Sequence, residues 1–333
     1  MAATPSTLAP FSVSGKTAVI TGAGSGIGFC FAELLLSKNC NVVIADLSLR
    51  PEAQALVSKY SDSTKSPRAI FVTTDVRDWP ALQRMFDETL RAFGDFDIVC
   101  PGAGIYEPHW SNFWHPPGHP EAKDPADGGR YATLDINLTH PIRATQLALS
   151  YWLHPRPTTV TRNGQASTTT PPKASPLNPK RIVHISSVAG QSPSLANPIY
   201  IATKHAISGF VRCLGPLEPV TGIRVNAVAP GVIKTPLWTE HPEKMIYTGG
   251  AEDEGWVEPA EVAAAMLRCA VEEGLALGKV LEVGKGNTRL VNAVNDPGPD
   301  RDPRKGLVTA KYEKGVQAVF GWLAQDGWGR SKL

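Results

Sequence analysis

No two cysteines in this 333-residue chain form a CxxC pair. The five present (Cys30, Cys40, Cys100, Cys213, Cys269) are scattered through apolar segments, and their odd count reads as reduced, buried thiols in a reducing compartment. Also missing is any apolar run near the roughly 20 residues that cross a bilayer. The first ten residues lack the basic start and apolar block of a secretory signal, so a soluble protein is expected. Charge of either sign is not in excess: 33 Lys+Arg stand against 31 Asp+Glu, a net charge of +2. That balance argues against nucleic acid or an acidic membrane surface as a partner. There is no internal repeat. What remains is 42% hydrophobic and 19% charged, enough for a sizeable core.

The apolar residues are organised in short runs. Lys16–Thr21, Asn41–Asp46, Arg68–Thr73, Phe96–Cys100, Arg181–Ser187, Ile223–Val228 and Lys279–Val283 read as buried strands. Between them lie helical patterns: one after the glycines near residue 22, then Trp79–Phe93, Tyr131–Leu153, about Ile199–Leu217 and about Pro259–Glu272. The alternation implies an α/β fold, a single Rossmann-type, doubly wound parallel sheet with helices on both faces. We expect it to fill residues 13–283, after a flexible 1–12 and before a C-terminal extension, 284–333, with a helix near Leu307–Leu323. Two insertions interrupt the rhythm. Residues 158–179, rich in Thr, Pro and Ser, join a helix to a strand and read as a flexible loop at the amino end of the sheet, silent in catalysis. Residues 107–129 follow the fourth strand, on the carboxyl side where ligands bind.

Gly22, Gly26 and Gly28, in the stretch Thr21–Gly28 (TGAGSGIG), stand between a strand and a helix. Residues without a Cβ permit the sharp turn, and a pyrophosphate can then approach backbone N–H groups at the helix's positive end, beside Ser25 and Ile27. Asp46 ends the second strand, 18 residues after Gly28. A carboxylate there accepts hydrogen bonds from both ribose hydroxyls and repels a 2′-phosphate; with Leu47 next to it, NAD is expected over NADP. Asp75 and Val76 are candidates for the adenine edge.

Tyr200 and Lys204 are one helical turn apart and share a face. A free phenol titrates near 10. A neighbouring ammonium and an oxidised nicotinamide ring favour the phenolate, so we expect Tyr200 to act as general acid/base. Lys204 can also hold the nicotinamide ribose. Ser187, at a strand end, can stabilise charge on the reacting oxygen. Asn137 is the expected fourth member, anchoring a water that connects Lys204 to solvent.

Together, TGAGSGIG, Asn137, Ile185-Ser186-Ser187, the YxxxK of Tyr200–Lys204 and Asn226–Gly231 (NAVAPG) resemble the short-chain dehydrogenase/reductase family, classical type, over about Val13–Val283. The shape of Trp256–Val283 and Asp46 is most similar to its NAD-dependent 15-hydroxyprostaglandin dehydrogenase-like branch. The resemblance implies a catalytic tetrad of Asn137, Ser187, Tyr200 and Lys204. It also implies a nicotinamide-binding loop of Pro230, Gly231, Val232 and Thr235, and homodimers or homotetramers through the long helices. One departure stands out. Where the family carries Asn-Asn-Ala-Gly, this chain reads Pro101-Gly102-Ala103-Gly104. Gly102 and Ala103 still keep the backbone close to the cofactor, but contacts to the adenosine are expected to be rearranged.

The aromatics Trp110, Phe113 and Trp114, together with Trp238, His241, Met245, Tyr247 and Trp256, suggest a bulky, mostly apolar small-molecule substrate. His109, His115 and His119 invite a metal reading. Their irregular spacing through Pro116-Pro117, with no nearby cysteine, argues against it, and no metal is expected. The final Ser331-Lys332-Leu333 spells a peroxisomal import-receptor address, the alternative being a cytoplasmic protein. The expected activity is NAD-dependent interconversion of a hydrophobic secondary alcohol and its ketone. A biosynthetic NAD(P)H-dependent ketoreductase and a non-catalytic dinucleotide-binding sensor are the alternatives.

Overall fold

A computed structural model describes residues 9–162, 165–239, 256–292, 312–326 and 328. Its centre is an eight-stranded sheet in the order β10-β9-β8-β7-β4-β1-β2-β3. The strands are β1 (Thr17–Thr21), β2 (Asn41–Asp46), β3 (Ala69–Thr73), β4 (Ile98–Pro101), β7 (Lys180–Ile185), β8 (Ile223–Pro230), β9 (Val280–Gly284) and β10 (Asn287–Leu290). All pair in parallel except β10, which runs antiparallel to β9 at one edge. The seven strands expected from the sequence are all present. The order reverses between β1 and β4, which opens the crevice where doubly wound sheets bind ligands.

Period-two alternation sends neighbouring side chains of each strand to opposite faces. Ala18, Ile20, Val42 and Ile44 pack with helices α1 (Gly26–Ser37) and α9 (Pro259–Val271) through Phe31, Leu35, Val262 and Met266. Val19, Val43 and Ala45 face α3 (Trp79–Phe93), α5 (His140–Leu153) and α6 (Pro198–Cys213), meeting Leu82, Phe86, Trp152, Ile207 and Val211. Each face is therefore covered, the condition for strands this apolar. At the amino end, buried Lys180 is held by Asp95 at 2.8 Å and Asp97 at 2.9 Å.

The structure departs from the sequence reading in several places. Residues 158–179 contain an antiparallel hairpin, β5 (Thr158–Arg162) with β6 (Gln165–Thr169), rather than only a loop. Its β-branched residues, four of the five in β5 being Thr or Val, favour a strand, and the hairpin lies against α3, where Val160 meets Gly94. A short helix, α2 (Pro51–Lys59), follows β2; its polar sequence buries only Ala53 and Leu56, which leaves little periodic signal. The long helix is not continuous. It runs as α4 (Ala132–Leu134), a π-helical turn (Asp135–Thr139) and then α5. The C-terminal helix, α10, spans Tyr312–Ala324, later than expected, and docks on α5: Leu323 is buried, and His154 and Ser150 bond the carbonyls of Leu323 and Trp328. His241, Met245, Tyr247 and Ser331–Leu333 lie outside the described residues. No helix among the described residues is long and apolar enough to cross a membrane.

Candidate active site

The carboxyl ends of β1, β2, β3, β4, β7 and β8 open onto a cavity of about 1350 Å³. It is lined by Gly22, Ser25, Gly26, Ile27, Gly28, Asp46, Asp75, Val76, Gly102 and Ala103, and also by Ser187, Tyr200, Lys204, Pro230, Gly231, Val232 and Thr235. Of the expected catalytic and cofactor-binding residues, Asn137 alone is not part of the lining.

The glycine turn shows why side chains are excluded there. Gly22 has φ +70°, and a Cβ on it would come within 2.6 Å of the Ala103 backbone. A Cβ on Gly28 would sit 2.3 Å from the Gly22 carbonyl, so α1 could not approach β1. Across the cavity mouth, the loop after Pro230 is tied to the sheet by the Gly231 N–H on Val283 O at 3.0 Å. It places Thr235 beside Gly26. Asp46 accepts the Gly24 N–H at 2.8 Å and the Leu47 N–H at 2.7 Å, which fixes its carboxylate at the cavity wall. Arg77, also in the lining, is engaged bidentately by Asp75, with a closest contact of 2.7 Å. The cradle of small residues, the carboxylate at the end of β2 and the size of the cavity fit an extended dinucleotide.

At the other end, Tyr200 and Lys204 project from the first two turns of α6. Ser187, two residues past the end of β7, accepts the Ala189 N–H at 3.2 Å and donates to Pro230 O at 3.3 Å. Lys204 Nζ donates to Ile185 O at 3.0 Å and lies 5.4 Å from the centre of the Tyr200 ring. Burial lowers the Lys204 pKa to about 8. The Tyr200 pKa is raised by burial, only partly offset by a hydrogen bond with Ser187. In the protein by itself, desolvation of the phenolate dominates. Serine 186 bridges to the Lys204 carbonyl at 3.0 Å and to Ser208 at 2.7 Å, locking α6 onto the end of β7.

Both ends of the Asn137 amide are engaged by one residue. Its Oδ1 accepts the Ile105 N–H at 2.9 Å and its Nδ2 donates to Ile105 O at 2.7 Å, stitching the π turn to the segment after β4. A π turn breaks the regular i→i+4 bonding, and such turns recur at functional sites.

Sequence reasoning missed two residues that position the site. Buried His140, in the first turn of α5, faces Ile136 O through Nδ1 at 3.0 Å and Thr21 Oγ1 through Nε2 at 3.0 Å. A carbonyl can only accept, so the proton sits on Nδ1 and the Thr21 hydroxyl donates to Nε2. That hydroxyl in turn accepts the Ala103 N–H at 3.2 Å. The chain braces the Pro101-Gly102-Ala103-Gly104 segment, where the family's asparagines are absent. The second residue is Glu107, 5% exposed, whose Oε2 accepts the Tyr200 N–H at 2.8 Å and whose Oε1 accepts the Phe113 N–H at 3.1 Å. Burial raises its pKa. Its carboxylate thus holds the first turn of the helix that carries Tyr200. Tyr106, the preceding residue, packs against Tyr200 with ring centres 4.8 Å apart and planes tilted by 59°.

Trp110 lines the cavity, whereas Phe113 and Trp114 do not; each is 51% exposed, and Trp114 Nε1 bonds Leu195 O at 2.8 Å. The wall is also more charged than anticipated, with Lys123, Asp124, Arg130 and Asp135 in it. Asp124 accepts the Ala132 N–H at 2.8 Å and Arg130 pairs with Asp135 at 3.3 Å. The histidines of this loop are brought together despite their irregular spacing: ligand atoms of His109, His115 and Glu121 lie within 4.8 Å of one another.

A doubly wound sheet with this glycine turn, and a serine, tyrosine and lysine at the far end of the same cavity, defines an oxidoreductase that uses a nicotinamide dinucleotide. The sequence profile of the short chain dehydrogenase family matches residues 16–163 and 178–246, and the chain belongs to that family. It is 29% identical over 285 residues to 15-hydroxyprostaglandin dehydrogenase [NAD(+)] of Bos taurus, covering 81% of this chain and 91% of that one. To L-fucose dehydrogenase of Mus musculus it is 30% identical over 283 residues, 82% of this chain and 88% of the other. Among solved structures, a short chain dehydrogenase from Burkholderia cenocepacia in complex with NADP superposes with TM-score 0.63 at 25% identity. That match covers 83% of this chain and 98% of that one. The protein is thus a dehydrogenase/reductase acting between alcohol and ketone, and its relatives use both NAD and NADP.

Proposed function

We propose that this enzyme interconverts a hydrophobic secondary alcohol and its ketone with NAD as cofactor and Tyr200 as general acid/base. The observation that carries the proposal is that Ser187, Tyr200 and Lys204 line one cavity with the fixed Asp46 carboxylate, Lys204 Nζ lying 5.4 Å from the centre of the Tyr200 ring. Bound nicotinamide supplies the hydride acceptor for oxidation and the donor for reduction. In oxidation, Ser187 hydrogen-bonds the substrate oxygen while Tyr200 takes the hydroxyl proton. Protonated Lys204 stabilises the Tyr200 phenolate that accepts this proton, and the neutral phenol so formed is returned to phenolate by passing the proton, by way of Lys204, towards the π turn at Asn137. Tyr106, Trp110, Val188 and Leu237 contribute apolar wall near this end, which supports an apolar substrate.

Preference for NAD rests on Asp46. Its remaining lone pairs are free for a ribose diol, and its charge opposes a 2′-phosphate. The nearest cation in the lining that could answer such a phosphate, Arg77, is already committed to Asp75.

The test is NADH formation across a panel of apolar secondary alcohols. Tyr200→Phe should lower turnover at least about a hundredfold while NADH still quenches protein fluorescence with unchanged affinity. Near-normal turnover in that variant would remove Tyr200 from the chemistry. Asp46→Ala should let NADP compete with NAD, and an unaltered cofactor ratio would mean that another group selects the ribose.

A further inference from the structure

We infer that His109, His115 and Glu121 form a binding site for a divalent zinc-type cation on the loop that borders the substrate end of the cavity. The donor atoms already converge. His109 Nδ1 lies 3.2 Å from Glu121 Oε2, and one donor atom from each of the three residues falls within 4.8 Å of the others. Four ligands at zinc bond lengths of about 2.0–2.1 Å stand about 3.3 Å apart, so the first pair is at coordination spacing and the third needs a shift of at most about 1.5 Å.

The second observation is His115. Its Nδ1 is buried and has no hydrogen-bond partner. A buried polar atom without a partner is destabilising, and a metal ion is one of the groups that relieves it. The imidazole packs against two others, with ring centres 5.0 Å from His109 and 4.7 Å from His119.

The surrounding backbone is set for the task. Proline 116 and Pro117 turn the chain back, closed by the His119 N–H on Pro116 O at 2.9 Å and the Ala122 N–H on His119 O at 2.9 Å. The Glu121 N–H is held by His119 Nδ1 at 3.2 Å, and Lys123 N–H meets Trp110 O at 2.8 Å. Residues 109 and 121 are thus neighbours across a closed loop, which sequence spacing alone does not reveal. Two imidazoles and one carboxylate are a donor set for zinc; calcium and magnesium prefer all-oxygen sites. His109 and Glu121 have side chains 60% and 55% exposed, so the cation has access and a fourth position remains for water.

The site lies outside the Ser187–Tyr200–Lys204 cluster, so the ion serves the loop. Trp110 and Lys123, joined by their backbone bond, line the cavity next to the ligands. A cation binding His109, His115 and Glu121 ties that stretch of wall together.

The experiment uses tag-free protein stripped with chelator and titrated calorimetrically with zinc chloride, beside His109→Ala, His115→Ala and Glu121→Gln. We expect one equivalent per chain with a Kd on the order of micromolar. Each variant should weaken it at least about tenfold, and the zinc-induced rise in Tm should disappear. Retained NADH binding shows that the variants are folded, and the exposed His109 decides the matter if His115→Ala is unstable. No saturable binding to the wild type, or affinity within twofold of wild type in both His109→Ala and Glu121→Gln, overturns the site.

Discussion

Tyr200 is pulled in two directions. Burial holds its proton on, while Ser187 and, when the cofactor is bound, positive charge in the cavity favour its release. Its motif was legible in the sequence because a tyrosine and lysine one helical turn apart fix geometry locally. Its pKa was not, since that depends on what the fold removes from water. The same division applies to His140. Nothing in its neighbourhood, Leu138-Thr139-His140-Pro141, announces a buried imidazole, yet burial lowers its pKa to about 4. An unfolded histidine takes up a proton near 6.5, so between that pH and about 4 the unfolded chain binds more protons than the folded one. Stability should therefore fall as pH drops through this window, by up to about 3 kcal/mol from this residue. His184, lowered to about 3 chiefly by burial, acts in the same direction. Urea denaturation at several pH values between 7 and 4.5 should show a shallower decline for His140→Gln; an identical slope would assign the effect to other groups.

Elements were readable from the sequence where burial dictated composition. The strands between helices stand out because both faces are covered, leaving short runs such as VVIA in β2. Elements with little burial were not: α2 buries only two of its nine residues, β10 exposes three of its four, and the β5–β6 hairpin is rich in Thr. The hairpin nonetheless keeps the position inferred for residues 158–179, because none of them lines the large cavity. At this scale Glu107 matters as the link between the 107–129 insertion and α6. A helix N-terminus carries positive charge and unsatisfied N–H groups, and this carboxylate answers both. Glu107→Ala should lower stability by about 1–2 kcal/mol and reduce kcat while leaving NADH affinity intact. Scanning calorimetry and steady-state kinetics check this together. Unchanged kcat would confine Glu107 to stability.

For the whole molecule, the doubly wound arrangement separates two ends. Catalytic and cofactor residues gather at the carboxyl ends of the strands, while the last described residues dock near the C-terminal end of α5, through Ser150 and Trp328. A helix between two parallel strands runs back along the sheet, so its C-terminal end lies at the amino side. The Ser331-Lys332-Leu333 sequence follows that docking point and stands as a proposed peroxisomal address. Its removal should move a fluorescently tagged protein from peroxisomes to the cytosol with turnover unchanged. Peroxisomal fluorescence in the truncated form would dismiss the address.

The π turn at Asp135–Thr139 has a consequence for the length of the chain itself. It spends one residue more than an α-helix over the same stretch, so the segments on either side are set out of ordinary helical phase. Deleting a single residue there would let the helix run straight through. That would rotate Ala132–Leu134 by about 100° relative to α5, parting Ala132 from Asp124 and Thr133 from Ser111. A shortened gene would thus keep every motif in its letters and lose the register between the 107–129 insertion and the body. The spare residue is what ties the sequence's length to its active geometry.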